Sequence, residues 1–372
     1  MAQGFTPGLI SRRSHAVVRL RELPIPGKVL VTVGQKVRGS EVVGRADLPG
    51  ELHIVRAAEQ LGIEPHEVMK GLRAQIGEHV TQGQILCEHR GLFGLIRSRC
   101  LSPEAGILEF VSEGSGHFGI RGAVKPVELT AYAAGTVVAV EPGKSVSIEM
   151  RGAVIQGIFG IGGERQGRIL CVASQNGGEV TVGDLPAQLN SAILIIKGSV
   201  SLEVVEAAAL RGATGLVCGS IDDKVLASYL GYDLGIALTG DENVPMVIMI
   251  TEGFGDLEMS PHNFALFGEF DGKDASINGT TQVRAGAIRP EVLIPHSMAG
   301  AEAEVPMSQE LKVGLRVRMI RVPYFGAYGL VEELPAAPEK VASGAVTRVL
   351  RVRLESGEKV SVPRANVEIA NL

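Results

Sequence analysis

Hydrophobic and polar positions change rhythm three times along the chain. From residue 29 to residue 173, brief β-branched runs alternate with glycine turns, the pattern of short strands. One phrase nearly repeats. Val33-Gly34-Gln35-Lys36-Val37-Arg38-Gly39-Ser40-Glu41-Val42-Val43 aligns with Ile76-Gly77-Glu78-His79-Val80-Thr81-Gln82-Gly83-Gln84-Ile85-Leu86. Each unit reads as a strand end, a glycine free to take positive φ, an inward valine, then a second turn and strand. Two such units predict two related hairpins in one β-module. Related turn-and-strand phrases follow at Pro103 to Glu109 in number and at residues 133–140. Residues 52–72 break the pattern. Ile54, Ala57, Ala58, Leu61, Val68 and Leu72 recur at helical spacing, interrupted at Pro65, which predicts a helix.

From Ala192 the period becomes strand–helix–strand. Ile193-Leu194-Ile195-Ile196, Gly215-Leu216-Val217-Cys218-Gly219 and Met246-Val247-Ile248-Met249-Ile250 are continuous apolar runs, as expected of strands covered on both faces. Ser201 opens a helix that Gly212 stops, and Ser220 or Asp222 opens another that ends at Gly231. Strands joined by helices imply right-handed parallel crossovers, and so a small α/β layer at 183–270. After it, 311–320 alternates apolar and basic residues, a half-buried strand. The expected fold class is therefore multidomain and mainly β with one α/β insert. The β-modules span 1–182, the α/β domain 183–270, a β return segment and linker 271–310, and a terminal barrel 311–372.

Composition sharpens this picture. The chain holds 48 glycines in 372 residues and no tryptophan. That is well above the usual glycine share of about 7%, without a collagen-like period, and it fits many tight turns. Net charge is −5, so whole-molecule attraction to nucleic acid or anionic membrane is not expected. The charge is uneven. From residue 311 onward there are ten Lys and Arg against six Asp and Glu, giving +4 there and −9 elsewhere. A basic terminal module suggests an anionic partner, or a solvated barrel surface. Cys87, Cys100, Cys171 and Cys218 show no zinc-ligand spacing, and Cys171 and Cys218 read as buried thiols. No stretch has the length of a membrane span, and the start has no apolar signal core. The expectation is a cytoplasmic chain with reduced thiols, no metal, no cofactor and no membrane partner.

Two stretches resemble known modules. The phrase Val-Gly-x-x-Val-x-x-Gly-x-x-Leu, followed by Ser-Pro-x-x-Gly-x-Leu, resembles the barrel-sandwich hybrid of biotinyl and lipoyl domains, over residues 24–163. The same module occurs in membrane-fusion adaptors and large polymerase subunits. Glu67-Val68-Met69-Lys70 is superficially similar to the biotin-accepting Glu-x-Met-Lys. In that family the lysine sits on a hairpin tip, whereas Lys70 falls in the expected helix, so it reads as a solvent-facing lysine. At the other end, Val313-Gly314-Leu315-Arg316-Val317-Arg318 and then Pro323-Tyr324-Phe325-Gly326-Ala327-Tyr328-Gly329-Leu330-Val331 resemble the KOW motif of transcription-elongation and ribosomal proteins, over 312–369. The resemblance implies a small SH3-like barrel, with a longer insertion at 334–344. KOW-like barrels contact nucleic acid or ribosomes and also serve as protein-docking modules.

Candidate chemistry is sparse. The chain lacks GxSxG, HExxH and a P-loop. The phrase 156–164, rich in glycine, is followed by a strand and not a helix, so it reads as a structural turn and not a phosphate loop. Ligands of parallel sheets sit beyond the carboxyl ends of the strands, where Ser220, Asp222, Asp223 and Glu252 fall. Asp222, Asp223 and Glu252 could bind a divalent cation or act as acid or base, or Ser220 and Asp222 simply cap a helix and the rest are loop residues. His262 follows Pro261 at a helix start, and the polar run 276–286 reads as a hairpin turn or a domain junction. No catalytic residue is assigned. The functional expectation is a non-catalytic multidomain scaffold or adaptor working through protein–protein contact and self-association. The alternative is a nucleic-acid, RNA polymerase or ribosome-associated binder. It would use Arg316, Arg318, Arg351 and Arg353 on phosphates, with Tyr324 beside them.

Overall fold

The computed structural model describes residues 9–91, 96–232, 242–281, 288–296 and 311–370, apart from 322, 325, 342 and 343. With 48% strand and 12% helix, and five helices among the described residues, the protein is mainly β. No helix among the described residues is long and apolar enough to cross a membrane.

An eleven-stranded sheet forms the spine. Its order is Phe159–Ile161, Val247–Phe254, Gly215–Ile221, Ala192–Val200, Glu164–Val172, Asp274–Asn278, Glu291–Pro295, Ser145–Gln156, Gly135–Glu141 and Lys36–Val37, with Ser11–Glu22 also paired to Ser145–Gln156. The runs from Glu164–Val172 through Val247–Phe254 are parallel neighbours. Helices Leu202–Leu210 and Asp223–Leu230 cover one face through Val204, Val205, Ala208 and Leu226. Helix Pro261–Glu269 covers the other through Leu266 and Phe267. Both faces are thus buried, which is why these strands read as unbroken apolar runs.

The sheet crosses the boundaries expected from sequence. Glu164–Val172 is already a parallel partner, so the layer opens before residue 183, and Asp274–Asn278 continues it past residue 270. The change of rhythm at Ala192 marks where helices begin to cover the sheet, not where the sheet begins. The helix expected over 52–72 is also only partly present. Leu52–Arg56 is a strand paired with His117–Arg121, and the helical part is two short pieces, Ala57–Leu61 and Pro65–Lys70. The apolar spacing across 54–61 spans a strand-to-helix junction: Val55 points into the core as part of the strand, and Ala57 and Ala58 do so from the first helical turn. Lys70 is the exposed last residue of the second helix.

The near-repeat folds into the same element twice, and the two copies feed separate cores. Val37, Val43 and Val137 lie in one core, and Val80, Leu86 and Leu108 in another. Each copy starts with a type II turn whose glycine has φ of +87°. In the first, Gln35 N donates to Thr32 O (3.1 Å), Gly34 N to Val137 O (2.8 Å) and Val137 N to Gln35 O (2.9 Å). In the second, Glu78 N donates to Gln75 O (2.9 Å), Gly77 N to Leu108 O (2.7 Å) and Leu108 N to Glu78 O (2.9 Å). A side-chain clamp closes both, with the residue types exchanged. Gln35 Nε2 donates to Glu41 Oε1 (3.2 Å) in one, and Gln84 Nε2 to Glu78 Oε1 (3.0 Å) in the other.

The same turn occurs a third time, at the start of the C-terminal unit. Gly314 has φ +88°. Leu315 N donates to Lys312 O (3.3 Å), Gly314 N to Val331 O (2.8 Å) and Val331 N to Leu315 O (2.9 Å). Two residues before each acceptor strand residue lies a glycine, Gly135, Gly106 or Gly329, paired with Val37, Val80 or Val317. A Cβ at Gly106 would overlap the carbonyl oxygen of Arg121, and one at Gly135 that of Glu149. The C-terminal unit itself is a five-stranded antiparallel sheet. Its order is Lys359–Pro363, Val349–Leu354, Tyr328–Glu333, Arg316–Met319 and Val367–Ile369, with a 3-10 turn Arg364–Asn366 before the last strand.

Two glycine classes should therefore respond differently to a methyl group. Gly77→Ala meets open space and carries only the positive-φ cost of about 1–2 kcal/mol. Gly106→Ala forces strands apart and should cost more, about 3 kcal/mol. Urea unfolding of the two variants checks the order, and equal losses would remove the close-approach argument.

Candidate functional site

The carboxyl ends of the parallel strands are filled by the chain itself. The segment after Val247–Phe254 folds back over them. Ser220 Oγ accepts from Leu257 N (2.7 Å) and lies within hydrogen-bond reach of Gly255 O (2.7 Å) and Leu257 O (3.0 Å). Met259 N donates to Lys197 O (2.6 Å), Lys197 Nζ pairs with Glu258 (2.6 Å) and Ser199 Oγ donates to Asp256 (2.8 Å). Gly219 permits this closure, since a Cβ there would overlap Leu257 O and Met259 N. Ser220 is fully buried as an anchor for this cover. Asp222 is an N-cap, its Oδ1 accepting from Lys224 N (2.8 Å), and Asp223 is exposed in the first turn of that helix.

Glu252 meets a second candidate from the far end of the sequence. Its Oε1 accepts from Ser260 N (2.9 Å) and from Thr251 Oγ1 (3.3 Å), and its Oε2 forms an ion pair with Arg318. Arg318 Nη1 also donates to Glu368 (3.0 Å). The Glu252 side chain is 0% exposed and that of Arg318 7%. Ser260 caps helix Pro261–Glu269 by accepting from Asn263 N (3.3 Å), and Asn263 Oδ1 accepts from Ser11 Oγ (2.5 Å). The N-terminal strand, the sheet end, a helix start and the C-terminal unit thus converge on one buried guanidinium. The solvated basic face expected of Arg316–Met319 holds only for Arg316. Val317 and Met319 enter the unit's own core, and Arg318 is buried against Glu252 and Glu368.

His262 stands at the same interface, its ring 6.4 Å from that of Tyr328. Burial pushes its pKa below the usual imidazole value, and Arg316 adds to that, against the opposing hydrogen bond with the Ser11 backbone. Burial also pushes the Glu368 carboxyl up, against the pull of Arg318.

The remaining candidates of the C-terminal unit carry acidic partners. Arg316 pairs with Glu355 and lies 5.3 Å from the centre of the Tyr328 ring. Arg351 pairs with Glu333 and with Glu339 (3.2 Å). Arg353 Nε donates to Glu332 (2.7 Å), which also holds Lys359 (3.0 Å). Lys359, with Arg353, keeps the Glu332 carboxyl below its usual range. Tyr324 packs on the unit's core with its hydroxyl 3.5 Å from Glu358. Pairing of this kind lowers the field such arginines offer a phosphate.

An open cleft of about 850 Å³ lies elsewhere, at the amino ends of Glu164–Val172 and Ala192–Val200. Arg38, Gln166, Arg168, Asn190, Asp271 and Asp274 supply its charged and amide side chains, and Arg168 stands 3.7 Å from Asp274. No histidine, cysteine or lysine is among its described lining residues, and its hydroxyls come from Ser40, Ser191 and Ser276. Sequence reasoning missed it because its walls come from six separated stretches. The polar run 276–286 extends beyond the described residues. Within them Thr281 Oγ1 accepts from Gly160 N (2.8 Å) and lies 3.0 Å from Gly160 O, closing the edge of the sheet.

Among the described residues no group of three or more His, Cys, Asp or Glu could hold a metal ion. All four cysteines are free thiols. Cys218 is buried, with its thiol pushed up to about 12 by burial, whereas Cys171 is only half-buried, against expectation. No protein-family model matches the chain, and no characterised protein matches it in sequence.

Replacing one member of the buried cluster separates its two carboxylates. Glu252→Gln leaves Arg318 short of its fully buried partner and should cost about 3–5 kcal/mol. Glu368→Gln should cost far less. Folding raises the pKa of Glu368, so its contribution to stability is complete below the unfolded value of 4.5 and is lost as pH rises through the folded value. That decline above pH 4.5 should shrink in the Glu368→Gln protein. Urea unfolding of both variants between pH 4 and 8 checks the order and the slope.

Proposed function

We propose that the protein is a non-catalytic scaffold or adaptor that works by displaying β-surfaces to other macromolecules, including further copies of itself. The observation that supports this is the thrice-used turn. At its second position stand Val33, Ile76 and Val313, exposed by 63%, 60% and 61%. A single exposed aliphatic residue is ordinary, but the same turn holding out the same kind of side chain from three cores fits repeated display. Three of the four strand-end candidates fit the reading too, since Ser220, Asp222 and Glu252 are engaged in internal bonds, while Asp223 is exposed.

On the same reading the N-terminal sheets are of the barrel-sandwich kind, and the C-terminal unit is an SH3-like barrel of the KOW kind. Its five antiparallel strands and its 3-10 turn before the last strand support the latter. The alternative of nucleic-acid, RNA polymerase or ribosome association through that unit has less support. Arg318 is buried, and Arg316, Arg351 and Arg353 are paired with carboxylates.

Native mass spectrometry of the full chain, alone and after cross-linking in extract of its own cells, tests the scaffold reading. The expected outcome is an assembly larger than one chain that is lost in a Val33→Asp, Ile76→Asp, Val313→Asp variant of unchanged melting temperature. A strict monomer that gains no mass in extract would end the proposal.

A further inference from the structure

A cluster of arginines stands on the N-terminal half, away from the basic C-terminal unit. Strands Ile85–Gly91 and Ile96–Leu101 form an antiparallel two-stranded ribbon. Cys87 and Cys100 pair across it and point into a core. The pleat therefore turns the next pairs outward, and these are Glu88 with Arg99 and Arg90 with Arg97. Arg73 joins them from a neighbouring segment, held by the bond from its own N to Leu86 O (2.8 Å). Glu88 sits among them at 3.1 Å from Arg90, 3.6 Å from Arg99 and 3.9 Å from Arg73. Arg90 above all holds its carboxyl below the usual range. Arg97 is exposed and makes no ion pair among the described residues.

Three guanidiniums thus share one carboxylate and Arg97 stands beside them without one, whereas each exposed candidate arginine of the C-terminal unit is paired with an acid. These three stay about half exposed, at 53% for Arg73 and Arg90 and 50% for Arg99, and Arg97 is exposed as well. Residues two apart on a strand are about 6.6 Å apart, so Arg97 and Arg99 form a short linear row with Arg90 beside it. A linear array of phosphates matches such a row, and arginine forks grip phosphate oxygens in pairs. Glu88 and Arg90 on one strand and Arg97 and Arg99 on the other make this stretch of the outward face wholly charged, and the exposed Leu101 lies beyond it at the base of the ribbon. With a net charge of −5 on the whole chain, any such attraction is local to this face.

We propose that the outward face of this ribbon, Arg73, Arg90, Arg97 and Arg99, binds the phosphodiester backbone of a nucleic acid without reading its sequence. The proposal is independent of the scaffold reading and of the C-terminal unit. Fluorescence anisotropy of the full chain with a labelled 20-nucleotide single-stranded RNA, across 50–200 mM KCl, tests it. Four phosphate contacts give a log–log salt slope of about −3. Arg97→Glu combined with Arg99→Glu should weaken binding at least tenfold at 50 mM salt. Arg97→Gln, which has no ion pair to lose and leaves the fold intact, should reduce the slope by about one contact. Arg353→Glu on the C-terminal unit should leave binding unchanged. Absence of binding at 50 mM salt, a flat salt slope, an equal loss in the Arg353→Glu protein, or capture by phosphatidylserine vesicles with none by RNA or duplex DNA would each overturn the proposal.

Discussion

A guanidinium removed from water must bring its counter-charges with it, and the architecture follows from where Arg318 finds them. An unpaired ion in a protein interior costs several kcal/mol. Glu252 at the end of a parallel strand and Glu368 on the last strand of the chain together meet that demand. Glu252 in turn fixes Ser260 at the start of helix Pro261–Glu269, and Asn263 in that helix fixes Ser11. The geometry of four elements, drawn from residues 11 to 368, is set by one positive charge. Such pairs add little to stability over a well-packed apolar contact, and this one joins elements far apart in the sequence.

How much of this was legible depends on the range of the forces involved. The apolar runs at 193–196, 215–219 and 246–250 announced themselves because burial on both faces leaves no polar positions. Gly231 and Asp222 could be read as helix ends because capping is settled within a few residues. Residues 52–61 misled because a strand and a helical turn joined end to end imitate helical spacing. Arg318 misled for a different reason. It alternates with Val317 and Met319 as any surface arginine would, and only the arrival of Glu252 distinguishes it from Arg316. The cleft and the arginine ribbon were equally invisible, since each is assembled by pairing between strands.

The recurrent turn shows what local chemistry can fix. A glycine with φ near +87°, its amide on a neighbouring strand, and a second glycine two residues short of that contact recur at Gly34, Gly77 and Gly314. The clamp between Gln35 and Glu41 returns as Glu78 and Gln84 with donor and acceptor exchanged. What persists is the hydrogen-bond pattern, carried by different side chains. The third copy lies in a sheet of different order from the other two, so the turn works as a portable way to start a strand pair.

The pairing of Ser11–Glu22 with Ser145–Gln156, and of the latter with Glu291–Pro295, has a consequence for the time order of folding. The first strand is made long before its neighbour. At roughly 5–20 residues per second, a growing chain would carry that twelve-residue segment unmated for on the order of ten seconds. The spine of the molecule can close only once Glu291–Pro295 has been made.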